Sequence, residues 1–347
     1  MLALLVLGGA LAGPAHPALV ERRVAVMGTL FAAAIVAESR EQALTASESA
    51  IEEVRRVEDL LTTWRDSPLA RLDAAEVGRS VKLDDELFGL LAGVFAWSAR
   101  TSRAFDPTVL PLVRAWDLRG AGRVPSSRKL AEALRATGVE RFRLDVAHRT
   151  AARLDALAGI EEGGWGKGYA LDRAAEKLEL GGTAARGALL DLGGQVIGRG
   201  RDAEGRDWSI TVADPRRRDQ PVVALRLSNA SASTSGNSER GRVVEGRRIG
   251  HLLDPRTGEP ASEFGSVTAV APSALHSDIL STAFFVLGPE EGLALSERLR
   301  REGIPNEALF LVVRGDRLEA RFSPGIPSLV LSADAAAVDG LTIIHHP

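Results

Sequence analysis

The stretch ALLDLGGQVIGRG (188–200) reads as a strand, a Gly-Gly turn and a second strand. WSITVADP (208–215), PVVALRLSNASAS (221–233), RRIGHLLDPRTG (247–258) and SVTAVAPS (266–273) repeat that pattern of short apolar runs broken by glycine turns. Toward the N-terminus the period lengthens. Ala50, Ile51, Val54, Val57, Leu60 and Leu61 share one face of a helix over Glu41–Thr63, with Glu and Arg on the other face. Further helices are expected near Asp84–Arg100 and Ser126–Thr137, with a third apolar element at Pro111–Trp116 and strand-like sequence over Phe142–Ile160. Val24–Ala37 reads as one strand bent near Gly28, and TTWRDSPLARLD (62–73) as a loop. A helix starts near Ala274, another runs from Pro289 to Glu302, and LFLVVR (309–314) and SLVLS (328–332) are strands that close a sheet. Hairpin-like strands with helices between them predict an α+β fold of mixed, mainly antiparallel sheets with packed helices, not a regular βαβ array. No solenoid period or long linker divides the chain.

Bulk composition excludes several functions. The 347 residues carry a formal net charge of -3, with 45% hydrophobic and 26% charged residues, so no global basic field invites nucleic acid. Cysteine is absent, which removes disulfides, thiolate nucleophiles, thiolate metal sites and a lipid-modified cysteine. Residues 1–18 read as an export leader, with an apolar run from Leu2 to Leu11 and small residues at Gly13 and Ala15. The run is too short to span a bilayer, and no Lys or Arg precedes it; a buried first strand is the other reading. The leader predicts a periplasmic or exported chain, cleaved from its leader or anchored by it. Residues 19–347 form the remaining domain.

Several motifs carry chemistry. GGWGKGYALD (163–172) is a glycine-rich loop entering a helix, where backbone amides, a helix N-terminus and Lys167 suit a phosphate; a plain strand-to-helix turn is the alternative. It lacks the spacing of a P-loop or a dinucleotide fingerprint. In ALHSDILSTAFFVLG (274–288), Asp278 and Thr282 stand four apart and project from one helix face. A carboxylate beside a hydroxyl suits Mg²⁺, or else makes a helix-face hydrogen bond. His276 lies elsewhere on the helix and reads as facing solvent or making a local contact. His251 precedes the Asp254-Pro255 turn, and a lone histidine is more often structural than catalytic. The run Ser228–Gly241 reads as a solvated loop, or as a holder of ribose or phosphate. Phe105 offers a flat apolar surface, and Asp106 accepts from a ligand or caps the next helix.

In order and spelling these motifs resemble the ApbE family, the FAD:protein FMN transferases. The match runs from MGT at Met27 through AFDPTVLPLV (104–113), GGWGKGYALDRAAE (163–176), LLDLGG (189–194) and STSGN (233–237) to GHLLDPRTGEP (250–260) and SVTAVAPSALHSDILSTAFFVLGPEEG (266–292). The resemblance implies a duplicated, tunnelling-fold-like architecture. It implies that Met27, Trp64, Ala104, Phe105, Asp106, Glu161 and Lys167 contact FAD, and that Gly164, by its carbonyl, with Asp278 and Thr282 holds Mg²⁺. It further implies that FMN passes to a Thr or Ser hydroxyl of an acceptor flavoprotein, a membrane-associated redox subunit, as AMP leaves, with Asp278 or His251 taking the hydroxyl proton. Hydrolysis of FAD to FMN and AMP, or flavin carriage without chemistry, are the competing activities. Glu161 stands where the family commonly has Asp, Asn237 where an acidic residue often follows T-S-G, and Gln195 where Asp or Asn is frequent.

Overall fold

The computed structural model describes residues 17–180, 185–237, 241–244, 246–333 and 341–345. Strands β1 (Ala18–Val26) and β2 (Thr29–Ala37) lead into α1 (Arg40–Leu61) and α2 (Pro68–Ala74). β3 (Val81–Lys82), α3 (Asp85–Arg100), α4 (Leu110–Ala115), α5 (Ser127–Arg135), β4 (Phe142–Asp145) and β5 (Thr150–Arg153) follow, then α6 (Gly166–Leu180). Seven strands come next: β6 (Ala185–Leu192), β7 (Gln195–Gly200), β8 (Trp208–Asp214), β9 (Arg217–Leu227), β10 (Ser231–Gly236), β11 (Arg242–Val244) and β12 (Arg247–Ile249). The chain continues through β13 (Gly265–Ala271), α7 (Ala274–Arg301), β14 (Glu307–Arg314), β15 (Arg317–Phe322), α8 (Ile326–Leu329), β16 (Val330–Ala333) and β17 (Leu341–His345).

A nine-stranded sheet in the order β1-β2-β6-β7-β10-β13-β14-β15-β17 divides the molecule. Among the described residues its only parallel pair is β15–β17. Strand alternation sorts its side chains into two cores. Along β14, Ala308, Phe310 and Val312 join the helical side, where Ile51, Leu87, Leu171 and Phe284 are buried. Leu309 and Leu311 face the other way, against Val212, Val223 and Leu225 of the three-stranded sheet β16-β9-β8. The layers are therefore helices, large sheet, small sheet. A lesser cluster joins Leu112 and Trp116 of the α4 region to Ile249 and Leu253.

The expected α+β class is the observed one, with four local corrections. Val24–Ala37 is a hairpin: Met27 and Gly28 take φ of 50° and 67°, the double positive φ of a type I′ turn. The 62–73 loop contains α2, started by Ser67 capping Ala70 N–H with Pro68 in the first turn. Ser228–Gly241 holds β10 in the large sheet, so it is no solvated loop; residues 238–240 lie outside the described set. SLVLS spans α8 and β16, and β16 pairs with β9 in the small sheet. The two helices expected at Ala274 and Pro289 are both present as the halves of α7, which breaks between them at Gly288, φ 77°, ahead of Pro289. The leader lies outside the described residues up to position 16, and Ala18 already belongs to β1.

Candidate active site

Two helix starts meet at the centre of the site. Gly168, in the first turn of α6, lies so close to the start of α7 that a Cβ there would overlap the Ala274 carbonyl. One turn on, Asp172 accepts from Ser273 Oγ (2.6 Å), Ala274 N–H (2.7 Å) and Leu275 N–H (2.8 Å). A side chain of α6 thus satisfies the orphan donors of α7 and locks the two helices together. This juxtaposition lets Gly168 N–H donate to Asp278 Oδ2 at 3.0 Å, and sets Lys167 Nζ 3.8 Å from Asp278 Oδ1. Burial raises the Asp278 carboxyl above the usual range, while Lys167 and the Gly168 N–H oppose that shift.

The glycine loop closes on the same helix face. A Cβ on Gly164 would sit 3.2 Å from Thr282 Oγ1 and 3.5 Å from the Phe105 ring, so only a bare backbone approaches both this closely. Behind them, Ser281 Oγ donates to Asp278 C=O (3.0 Å) and bonds Ser233 and Ser235 of β10. Gln195 is fully buried and donates to the Ala274 carbonyl at 2.6 Å, tying β7 to the start of α7. At this position an amide serves as a strap rather than a charge.

Across the cavity, Arg119 lies 4.7 Å over the ring of Trp64, donates to Thr63 Oγ1 (2.5 Å) and pairs with Glu161 (2.6 Å) and Glu162 (3.6 Å). Burial, with Glu162 alongside, raises the Glu161 carboxyl to about 7, and Arg119 counters part of that. Asp106 is buried and accepts from Ser98 Oγ (3.0 Å), Thr108 N–H (2.9 Å) and Thr108 Oγ1 (2.5 Å). It caps no helix, since α4 starts at Val109 without a side-chain cap. His276 packs its ring 4.9 Å from Trp97, a local contact.

One cavity of about 1260 Å³ collects these parts, larger than the about 300–1,000 Å³ of ordinary small-ligand sites. Met27, Trp64, Ala104, Phe105, Asp106, Glu161, Gly164, Lys167, His251, Asp278 and Thr282 all line it. Two I′ turns, Met27-Gly28 and Gly193-Gly194, form part of its wall, the first held by Met27 N–H donating to Glu58 Oε1 at 2.9 Å. Arg119 and Arg218 were not among the sequence candidates, and no motif surrounds either. Past the start of β7 the cavity extends to Thr211–Asp214 of β8, so it reaches both the helical layer and the small sheet.

Among the described residues no three His, Cys, Asp or Glu side chains gather into a metal cluster. Asp278, Thr282 and Gly164 line one cavity, with Gly164 packed against the Thr282 hydroxyl, and between them they offer a carboxylate, a hydroxyl and a loop carbonyl. These are hard oxygen donors in the small number that Mg²⁺ takes when phosphate and water complete its shell. The residues fit such an ion.

The profile of the ApbE family matches residues 27–305. The chain belongs to the ApbE family. It is 29% identical over 309 residues to the FAD:protein FMN transferase of Klebsiella pneumoniae, covering 86% of this chain and 85% of that one. It is 31% identical over 313 residues to the protein of the same name from Treponema pallidum, covering 84% and 83%. Among solved structures, the flavinyl transferase ApbE of Pseudomonas stutzeri superposes with a TM-score of 0.77 at 27% identity, over 91% of this chain and 98% of that one. The ApbE match begins at Met27 and ends beyond Thr282, so every candidate residue lies within it.

Proposed function

We propose that this ApbE enzyme transfers FMN from FAD to a Thr or Ser hydroxyl of a target flavoprotein, with magnesium, and releases AMP. One observation carries the reading: Asp278 and Thr282 of α7 abut the Gly164–Gly168 loop of α6 inside a single large cavity that also contains Trp64 and Phe105. The names of its relatives agree with transfer of FMN from FAD to a protein. Asp278, Thr282 and the Gly164 carbonyl would hold the ion, and bound there it would neutralise charge on the FAD pyrophosphate as AMP departs.

The chain's own groups do the rest. Loop amides and Lys167 stabilise pyrophosphate oxygens, and aromatic surfaces at Trp64 and Phe105 receive the ring systems of FAD. The acceptor oxygen bonds to the FMN phosphorus, the bond from that phosphorus to the bridging oxygen breaks, and the acceptor proton passes to Asp278 or His251. AMP leaves with the bridging oxygen. We extend the proposal to an exported enzyme acting on a membrane-associated redox subunit, on the strength of the apolar leader.

The test is incubation with FAD, Mg²⁺ and candidate acceptors, read by in-gel flavin fluorescence. Covalent fluorescence on the acceptor is expected, and Asp278→Ala should abolish it. Undiminished labelling by that variant with Mg²⁺ overturns the metal reading. Free FMN in place of labelled protein, separated by HPLC, makes the enzyme a hydrolase.

A further inference from the structure

Strand β10 outruns its neighbour. It pairs with β13 from Ser231 through Gly236, but with β7 only from Ser231 through Ser233, because β7 begins at Gln195 after the Gly193-Gly194 turn. One bond fixes which peptide groups lie on that open side. Gly198 N–H donates to the Ala230 carbonyl at 2.9 Å, at a pair continuing the β7–β10 register. Hydrogen-bonded pairs of an antiparallel ladder recur at every second residue. Ala232, Thr234 and Gly236 therefore turn their N–H and C=O toward β7, which stops before the last two.

Those two peptide groups border the cavity: Thr234 and Gly236 line it together with Gly193 and Gly194. The reaction centre is one hydroxyl relay away, through Ser235 Oγ to Ser281 Oγ at 2.9 Å and Ser281 Oγ to the Asp278 carbonyl at 3.0 Å. On the far side, Thr211, Val212, Ala213 and Asp214 of β8, an edge strand, line the same cavity. Successive strand residues point to opposite faces, so a cavity touching four in a row runs along backbone. The space is thus bordered by strand edges near the metal-ligand helix, while Trp64, Arg119 and Glu161 lie on the helical side.

We propose that the protein acceptor docks here as an extended segment. It adds to the open edge of β10 through main-chain hydrogen bonds with Thr234 and Gly236, which places its hydroxyl residue beside Asp278 and Thr282. A strand edge offers donors and acceptors at the peptide repeat, which the backbone of an extended peptide matches residue by residue. With only two facing peptide groups the contact is short, as suits a partner released after one reaction. The inference rests on the transferase reading, and its test keeps the two apart.

The full chain with Mg²⁺ and FAD is compared, by amide hydrogen exchange, with the same sample plus an acceptor whose reactive Thr or Ser is replaced by Val. Slowed exchange over 231–236 on adding the acceptor is expected. Equal slowing by FAD alone, or acceptor protection only elsewhere, overturns the docking proposal. A second arm uses Thr234→Pro, which deletes an N–H facing β7 and leaves the β13 ladder intact. The acceptor KM is expected to rise about fivefold or more, with Thr234→Val recovering most of the loss. An unchanged acceptor KM overturns the proposal, and a proline variant that no longer binds FAD hands the decision to the exchange data. Failure of the unaltered chain to label any acceptor removes the transferase reading itself.

Discussion

Arg119 ties three parts of the cavity wall, lying over Trp64, bonding Thr63 and pairing with Glu161. Removing it frees an aromatic ring and leaves two half-buried carboxylates without their cation. Arg119→Ala should raise the KM for FAD about tenfold with kcat within about twofold, from the loss of stacking and charged hydrogen bonds. Arg119→Lys should recover only part, since an ammonium lacks the planar fork. Steady-state kinetics against FAD at saturating acceptor would show it. Asp73 tests a different property. It is buried, accepts from Ile160 N–H at 3.0 Å, and burial raises its carboxyl to about 7. A raised carboxyl favours the protonated fold, so its contribution to stability is whole below the unfolded value of about 3.9 and is lost as pH rises through about 7. Asp73→Asn keeps an acceptor and discards the charge. Its melting temperature should exceed that of the unaltered protein by about 2–5 °C more at pH 8 than at pH 5.

At the scale of elements, the contact between α6 and α7 governs the site, and Asp172 is its clasp. Asp172→Ala strips three hydrogen bonds from the start of α7 and should cost about 1–3 kcal/mol in urea unfolding, with flavin transfer falling further than stability. Gly168→Ala should be at least as damaging, because its methyl meets backbone that cannot yield without parting the helices. Sequence periodicity made most of these elements legible, since helical and strand repeats are local properties of a dozen residues. The hairpin at Met27-Gly28 was not legible: alanine and valine run on through both strands, and a methionine at φ 50° is not a residue that announces a turn. Nor was α2, whose Ser67-Pro68 start is spelled like a loop. Asp278 and Thr282 could be paired from their four-residue spacing alone. Their proximity to Gly164 could come only from the family resemblance, and Arg119 had no signal, its partners Glu161 and Thr63 standing 42 and 56 positions away.

For the whole molecule, the cavity joins both faces of the large sheet, so a ligand filling it should stabilise the entire fold. FAD at about a hundred times its Kd should add about 2.7 kcal/mol, seen as a higher melting temperature. EDTA should reduce that increment, and Asp278→Ala should be indifferent to magnesium in the same experiment. The reach of the cavity from the helical layer to the edge of β8 also sets the rate law. With FAD on the helical side and the acceptor at the edge of β10, as proposed above, the two would be bound at once. Initial velocities should give intersecting rather than parallel lines, with AMP competing against FAD and not against the acceptor.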